Sequence, residues 1–320
     1  MGNCIVSLSE ESQPVAKWLS RRSMNSSRER LIIWCTMTLF IWLLAIVPAQ
    51  ANPEPDEGVR DKLIVSDPET RPPGTIEFEA FYLQSQSRHS FSSRGMLQSG
   101  DRKESEVFFG SLGIGLTDNL DLAVTSGASN LFELLDPLAD NESSSSFRGP
   151  RRGGGLVDLE LDLRWNFYHN DGLWMSVIGG PTLVNDVVSN PSQNETLQLG
   201  QGFIGGDVAF VLRQDWGPSS INFELYSLFP LTQSTEAFSQ FGANIGYGYQ
   251  VMAEIQPVIE LNYANLQPAS GQPVQSLDIT LGLVAQPFDF LQVYAGVQHT
   301  LWGQNTEQTT SLIGGFSTKF

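Results

Sequence analysis

Residues Val157 to Phe167 alternate without a break. Val157, Leu159, Leu161, Leu163, Trp165 and Phe167 are apolar, and Asp158, Glu160, Asp162, Arg164 and Asn166 between them are polar. In a strand, successive side chains point to opposite faces, so this pattern gives one apolar and one polar face. On a helix the same residues would mix charge with apolar surface on every side, so the segment is a strand.

The pattern recurs. Ile221, Phe223 and Leu225 alternate with Asn222 and Glu224, and Leu277, Ile279, Leu281 and Leu283 with Asp278, Thr280 and Gly282. Read this way, the chain predicts twelve strands, at 75–86, 104–116, 119–129, 155–168, 172–185, 199–213, 218–231, 238–251, 254–265, 275–286, 289–300 and 309–320. Most are longer than the ~5–6 residues usual in soluble proteins and suit the ~9–11 that a tilted strand needs to cross a bilayer. Short connections (Thr117-Asp118, His169 to Asp171, Gln214 to Gly217, Met252-Ala253, Pro287-Phe288) alternate with longer ones near 87–103, 130–154, 186–198, 232–237, 266–274 and 301–308. The fold class expected is therefore all-β: a transmembrane up-and-down antiparallel β-barrel of about twelve strands, with short periplasmic turns and longer outer loops. A secreted β-sandwich shares the two-residue period but not the strand length, the loop alternation or the even count.

The start of the chain supports export. Leu31 to Val47 is apolar, Arg28 and Arg30 precede it, and Ala49-Gln50-Ala51 follows. This reads as a secretory signal peptide over 1–51, with Met24 an alternative start giving a normal n-region, and a single membrane anchor as the rival reading. Residues 52–74, Pro-rich and acidic, are expected to be a periplasmic lead-in, and 75–320 the barrel. Met1-Gly2 has Val6 where myristoylation wants Ser or Thr, and Cys35 lacks a lipoprotein box. Cys4 and Cys35, the only cysteines, lie in 1–51, so no disulfide is expected in the exported chain.

Charge narrows the function. The 18 basic and 35 acidic residues give a net −17. Five of the basic and three of the acidic residues lie in 1–51, which leaves −19 on the remaining 269. Nucleic-acid binding needs clustered Lys and Arg, and none is present. The single long apolar run excludes a multi-span helical membrane protein. The polar strand faces carry Glu77, Glu79, Asp121, Asp158, Glu160, Asp162, Asp207, Glu224, Glu260 and Asp278 against Arg164 and Arg213. Such crowding is prohibitive in a dry core and tolerable in a wet lumen, so these acids are expected to line a hydrated interior, as filler or in solute choice.

Other chemistry is sparse. His89, His169 and His299 fall on both sides of the expected membrane, so they form no three-His metal site. His89-Ser90 and His299-Thr300 are sequence neighbours that point opposite ways on a strand, which does not pair a base with a nucleophile. No catalytic residue, metal or cofactor is expected, and a membrane-embedded hydrolase is the least supported reading. Within 130–154, Asn130 with Glu133 resembles a helix cap, and Leu131, Leu134, Leu135 and Leu138 follow at helical spacing. Arg148, Arg151 and Arg152 then precede three glycines. That loop reads either as a surface loop meeting lipopolysaccharide phosphates or as an inward-folded constriction. At the other end, Phe316 and Phe320 close the last alternating strand as an expected signal to the barrel-assembly machinery.

LIVSDPETRPPGTIEFEAFY (63–82), LGIGLTDNLDLAV (112–124) and GGGLVDLELDLRWNF (153–167) together resemble the outer-membrane transporter family named for the MetA pathway of phenol degradation. This chain has Leu-Val-Asp where many relatives carry Gly-Asp directly. The resemblance implies a Gram-negative outer-membrane barrel that passes hydrophobic or aromatic compounds, and it supplies no catalytic residue. Outer-membrane lipid, lipopolysaccharide, the assembly machinery and an unidentified small solute are the partners expected. The function expected is passive transport or a channel, with a non-transporting structural, surface or binding barrel as the alternative.

Overall fold

The computed structural model describes residues 62–134, 151–156, 159–183, 204–232, 237–269 and 271–320. They form β1 (Ile76–Phe91), β2 (Leu97–Thr117), β3 (Leu120–Leu134), β4 (Arg151–Leu156), β5 (Leu159–Asn170), β6 (Leu173–Leu183), β7 (Gly205–Trp216), β8 (Ser219–Pro230), β9 (Phe238–Tyr249), β10 (Ile255–Pro268), β11 (Val274–Phe288), β12 (Leu291–Gln304) and β13 (Thr306–Lys319). Every pairing of these strands is antiparallel, and apart from β3–β5 and β1–β13 each joins neighbours in sequence. Strands β4 and β5 both pair with β3 and share one place in the wall. The wall thus has twelve staves, and β1 closes it on β13 from Glu77↔Lys319 to Phe91↔Thr306. Closure pairs β1 and β13, which would otherwise be terminal strands of the sheet.

The distribution of side chains is inverted relative to a soluble protein. Arg213, Gln256, Glu260, Asn222, Thr280, Asp121 and Ser176 are among the most buried groups, while Leu112, Phe108, Trp165, Leu281 and Leu312 are exposed. An apolar exterior around a polar interior suits hydrocarbon outside, not water. The two-residue period has therefore selected a barrel over a sandwich.

Several strands run past the expected ends. β1 and β2 extend to Phe91 and from Leu97, through most of the loop expected at 87–103. Their turn is Ser92–Met96, where Ser92 N–H donates to Met96 O (2.9 Å) and Gly95 takes φ 71°. The loop expected at 301–308 reduces to Asn305, φ 52°, between β12 and β13. Beyond the bilayer no apolar outer face is required, so the alternation that marks a strand fades while the ladder continues. The helical reading is likewise corrected over Asn130 to Leu134. β3 continues to Leu134, paired with β2 (Lys103↔Glu133) and with β4 (Phe132↔Arg152, Glu133↔Arg151). Two ladders satisfy its backbone where the spacing of the leucines had suggested helix. Arg151, Arg152 and the glycines after them are part of β4, an outward continuation of the hairpin, and not a tight reversal into the lumen. Leu135, Leu138, Arg148 and Asp158 lie outside the described residues.

Candidate functional site

The lumen near the short-turn end is occupied by the chain's own residues 62–73, a strap that precedes β1. These residues belong to the stretch expected as a lead-in, and they stand inside the barrel. The strap has no periodicity of its own, and the wall supplies partners for it one residue at a time.

The first half of the strap meets carboxylates and an apolar patch. The Leu63 N–H donates to Glu260 Oε1 (2.6 Å) and the Ile64 N–H to Glu260 Oε2 (3.0 Å). Ser66 Oγ donates to Glu224 Oε1 (2.8 Å), and Lys62 Nζ donates to Ser220 Oγ (2.8 Å). Leu63 packs with Val258, Val284, Tyr294 and Ile313, so this side of the lumen is apolar, not uniformly polar. Glycines make the room: a Cβ on Gly282 or Gly296 would stand 2.8 or 2.6 Å from a Leu63 methyl.

The second half meets charge. Arg213 Nη1 donates to Asp67 Oδ1 (2.7 Å) and Oδ2 (2.8 Å), and its Nη2 to Glu69 Oε2 (3.0 Å). Pro68 O accepts from Asn166 Nδ2 (3.1 Å) and from Ser176 Oγ, and Glu69 O accepts from Arg164 Nη1 (2.7 Å). Arg71 donates from its backbone N–H to Asp121 Oδ2 (3.0 Å) and from Nε to Glu77 Oε2 (2.7 Å). Pro72 and Pro73 then reach Gly115, and Gly74 N–H donates to Gly115 O (2.9 Å) before β1 begins. Carboxylates that accept N–H donors or pair with guanidinium are stabilised as anions without needing bulk water.

The sequence-derived acids divide accordingly. Glu77, Asp121, Glu224 and Glu260 hold the strap. Glu79 accepts from Tyr294 Oη (2.5 Å), and Ser276 Oγ donates to Asp278 (3.1 Å). Asp162 and Asp207 flank Gly180, which places no side chain between them. Glu160 pairs in register with Thr125 and Thr182. The reading of all these acids as lining for solvent therefore needs correction, since four of them serve the strap. Sequence reasoning missed the strap because its partners are far away along the chain. The apolar triplet Leu63-Ile64-Val65, isolated in an acidic Pro-rich stretch, was the one local signal.

His89 pairs in register with Gln308, whose Nε2 is 3.4 Å from His299 Nε2, and His169 lies at a short turn. His89 lies in β1 beside a register shift, His299 Nδ1 is 2.8 Å from Thr310 Oγ1, and His169 stacks on Trp174 with ring centroids 3.3 Å apart. Among the described residues, no group of three or more His, Cys, Asp or Glu is arranged to hold a metal ion. Phe320 is exposed, and its backbone exchanges hydrogen bonds with Ile76 (2.8 and 3.1 Å), while the Phe316 ring lies 6.1 Å from that of Phe78.

Beyond the strap, toward the long-loop end, lies a cavity of about 270 Å³. Strap residues Ser66 and Arg71 form one side, Asp162 and Arg164 another, and Phe81 and Phe109, with ring centroids 6.1 Å apart, a third. It can therefore offer a small molecule both ring faces and hydrogen-bonding groups.

The fold has a solved counterpart. An outer-membrane channel from Pseudomonas putida F1 superposes with a TM-score of 0.62 at 15% identity, over 85% of this chain and 100% of that one. The transport unit of the autotransporter AIDA-I from Escherichia coli gives 0.47 at 12% identity, over 81% of this chain and 94% of that one. The translocator domain of the autotransporter NalP from Neisseria meningitidis gives 0.46 at 10%, over 78% and 90%. No family model and no curated protein matches the chain. This chain is a closed β-barrel of the outer-membrane type.

Proposed function

We propose that the protein is a passive channel of the Gram-negative outer membrane for small molecules, with hydrophobic or aromatic compounds as its solutes. The observation that carries this reading is the cavity beside the strap, where Phe81 and Phe109 face Arg71, Arg164 and Asp162 within one lumen. Ligand sites combine apolar lining with a few placed polar groups in this way. The likeness in fold to a Pseudomonas putida outer-membrane channel supports it, and so does the sequence resemblance to transporters of the phenol-degradation type. In this reading the short-turn end, with the strap, faces the periplasm.

The occupied lumen favours a second reading, a barrel that does not transport. Purified protein in planar bilayers separates the two. The channel reading expects conductance steps that a small aromatic solute such as benzyl alcohol reduces and glucose does not. Folded barrels that give no steps would favour the non-transporting reading.

A further inference from the structure

We infer that the cavity beside Phe81 and Phe109 is a site for uncharged aromatic carbonyl compounds, whose ring lies on the apolar lining and whose carbonyl oxygen accepts from Ser111, Arg71 and Arg164. The inference rests on the channel reading and narrows its solute.

Three observations carry it. First, the apolar lining suits a single ring. Phe81 of β1 and Phe109 of β2 are register partners whose ring planes stand 47° apart, and Ala123 of β3 and Ile178 of β6 add aliphatic surface. A tilted pair of rings offers an incoming ring both a face and an edge.

Second, the hydrogen-bonding capacity left over is donor capacity. The acids of the cavity already have partners. Glu79 accepts from Tyr294 Oη (2.5 Å), Asp121 accepts from the Arg71 N–H (3.0 Å), and the Asp162 carboxyl is hydrogen-bonded to that of Asp207. Thr125 Oγ1 donates to Ser111 Oγ (3.0 Å), which leaves the Ser111 hydroxyl its own proton to donate. Arg71 is bonded through Nε to Glu77 and Arg164 through Nη1 to Glu69 O. Arg71 Nη1 and Arg164 Nε are buried with no hydrogen-bond acceptor among the described residues. Arg71 Nη1 does form an ion pair with Asp121 Oδ1, at 3.3 Å, on a side chain nine-tenths buried. Buried donors without acceptors are costly, and a solute oxygen brought to these groups offsets that cost.

Third, the charges disfavour an anion. Glu79, Asp121 and Asp162 line the cavity with Arg71 and Arg164, so it has no surplus positive charge to hold a carboxylate. A hydrocarbon leaves the donors unpaired, and an amine adds donors where they are already in excess. A carbonyl conjugated to a ring supplies two lone pairs and no charge. A site built to hydrogen-bond one group rejects the analogue that lacks it, because its own polar groups are then left unpaired.

Three ligands of similar size test this: acetophenone labelled with carbon-13 at the carbonyl, ethylbenzene and benzoate. Protein isolated from outer membranes in detergent is titrated with each by calorimetry, and infrared spectra follow the carbonyl band. Acetophenone should bind at least ~10-fold more tightly than ethylbenzene or benzoate, the worth of about one net hydrogen bond. Its carbonyl band should lie at lower frequency than in empty micelles. Ser111→Ala should weaken acetophenone binding roughly 3- to 10-fold and reduce the band shift, with ethylbenzene unaffected, and Ser111→Thr should restore both. Ethylbenzene binding as tightly as acetophenone, or an unshifted carbonyl band, overturns the carbonyl assignment and leaves the channel standing. Tighter binding of benzoate overturns the uncharged class. Planar bilayers read the channel separately: folded barrels without conductance steps overturn the channel reading itself, whichever ligand binds.

Discussion

Arg213 holds Asp67 through both oxygens of the carboxylate, at 2.7 and 2.8 Å, across 146 residues of sequence. The guanidinium is almost wholly buried, with Glu69 at 3.0 Å, Asp215 at 3.3 Å and the Trp174 ring centred 5.0 Å away. Removing one partner of a buried pair leaves the others uncompensated. Arg213→Ala should therefore lower barrel stability by about 3–5 kcal/mol. Asp67→Asn keeps the shape and removes one charge, and should cost about 1.5–3 kcal/mol. Urea unfolding of the detergent-solubilised barrel measures both, and equal, small losses would show that the cluster does not support the fold.

Gly180 sets how closely β5 and β6 approach. A Cβ there would fall 1.6 Å from the carbonyl oxygen of Leu161. Backbone cannot step aside as a flexible side chain can, so Gly180→Ala should cost about 1–3 kcal/mol, as overpacking does. Gly314→Ala is the control, because its Cβ would meet nothing nearer than Tyr294 O at 3.9 Å. It should stay within about 0.5 kcal/mol of wild type. The fraction of heat-shifted folded protein on unboiled gels, followed against temperature, distinguishes the two.

Tyr294 links the apolar and charged sides of the lumen. Its ring packs in the Leu63 cluster, and its hydroxyl donates to Glu79 at 2.5 Å. Tyr294→Phe keeps the packing and leaves the carboxylate without that donor, which should cost about 1–3 kcal/mol. In a double-mutant cycle with Glu79→Gln, the two changes should be clearly non-additive, because they act on one contact. Additive losses in chemical denaturation would show that the two residues are not coupled.

What could be read from the sequence follows from which forces act locally. The staves are legible at Val157–Phe167 because hydrocarbon on one side and polar lumen on the other impose a two-residue period. Outside the bilayer that constraint ends, and the extensions to Phe91 and from Leu97 lose their mark. The strap was illegible for a different reason. Leu63 finds Glu260 across 197 residues and Lys62 finds Ser220 across 158, and no local pattern encodes either meeting. The acids were recognised as one face of the strands, yet their role depended on a segment whose own sequence says only that it is polar, with one apolar triplet.

That division of the acids gives a test of ion selectivity, conditional on conduction. Asp162 and Asp207 face each other across Gly180, whereas Glu224 and Glu260 accept hydrogen bonds from the strap. The wall of the lumen carries more acids than bases, Arg164 and Arg213 being the bases named on it, so cations should be enriched, as acidic rings enrich them in other pores. Asp162→Asn with Asp207→Asn removes an acidic pair that does not bond to the strap. The cation-to-anion permeability ratio, from the reversal potential in a salt gradient, should fall roughly twofold or more. The selectivity effect should weaken as salt rises, since screening shortens from about 10 Å at 0.1 M to about 3 Å at 1 M. An anion-selective wild type would show that the wall arginines Arg164 and Arg213 set the field in the conducting lumen, and the acids would then be anchors alone.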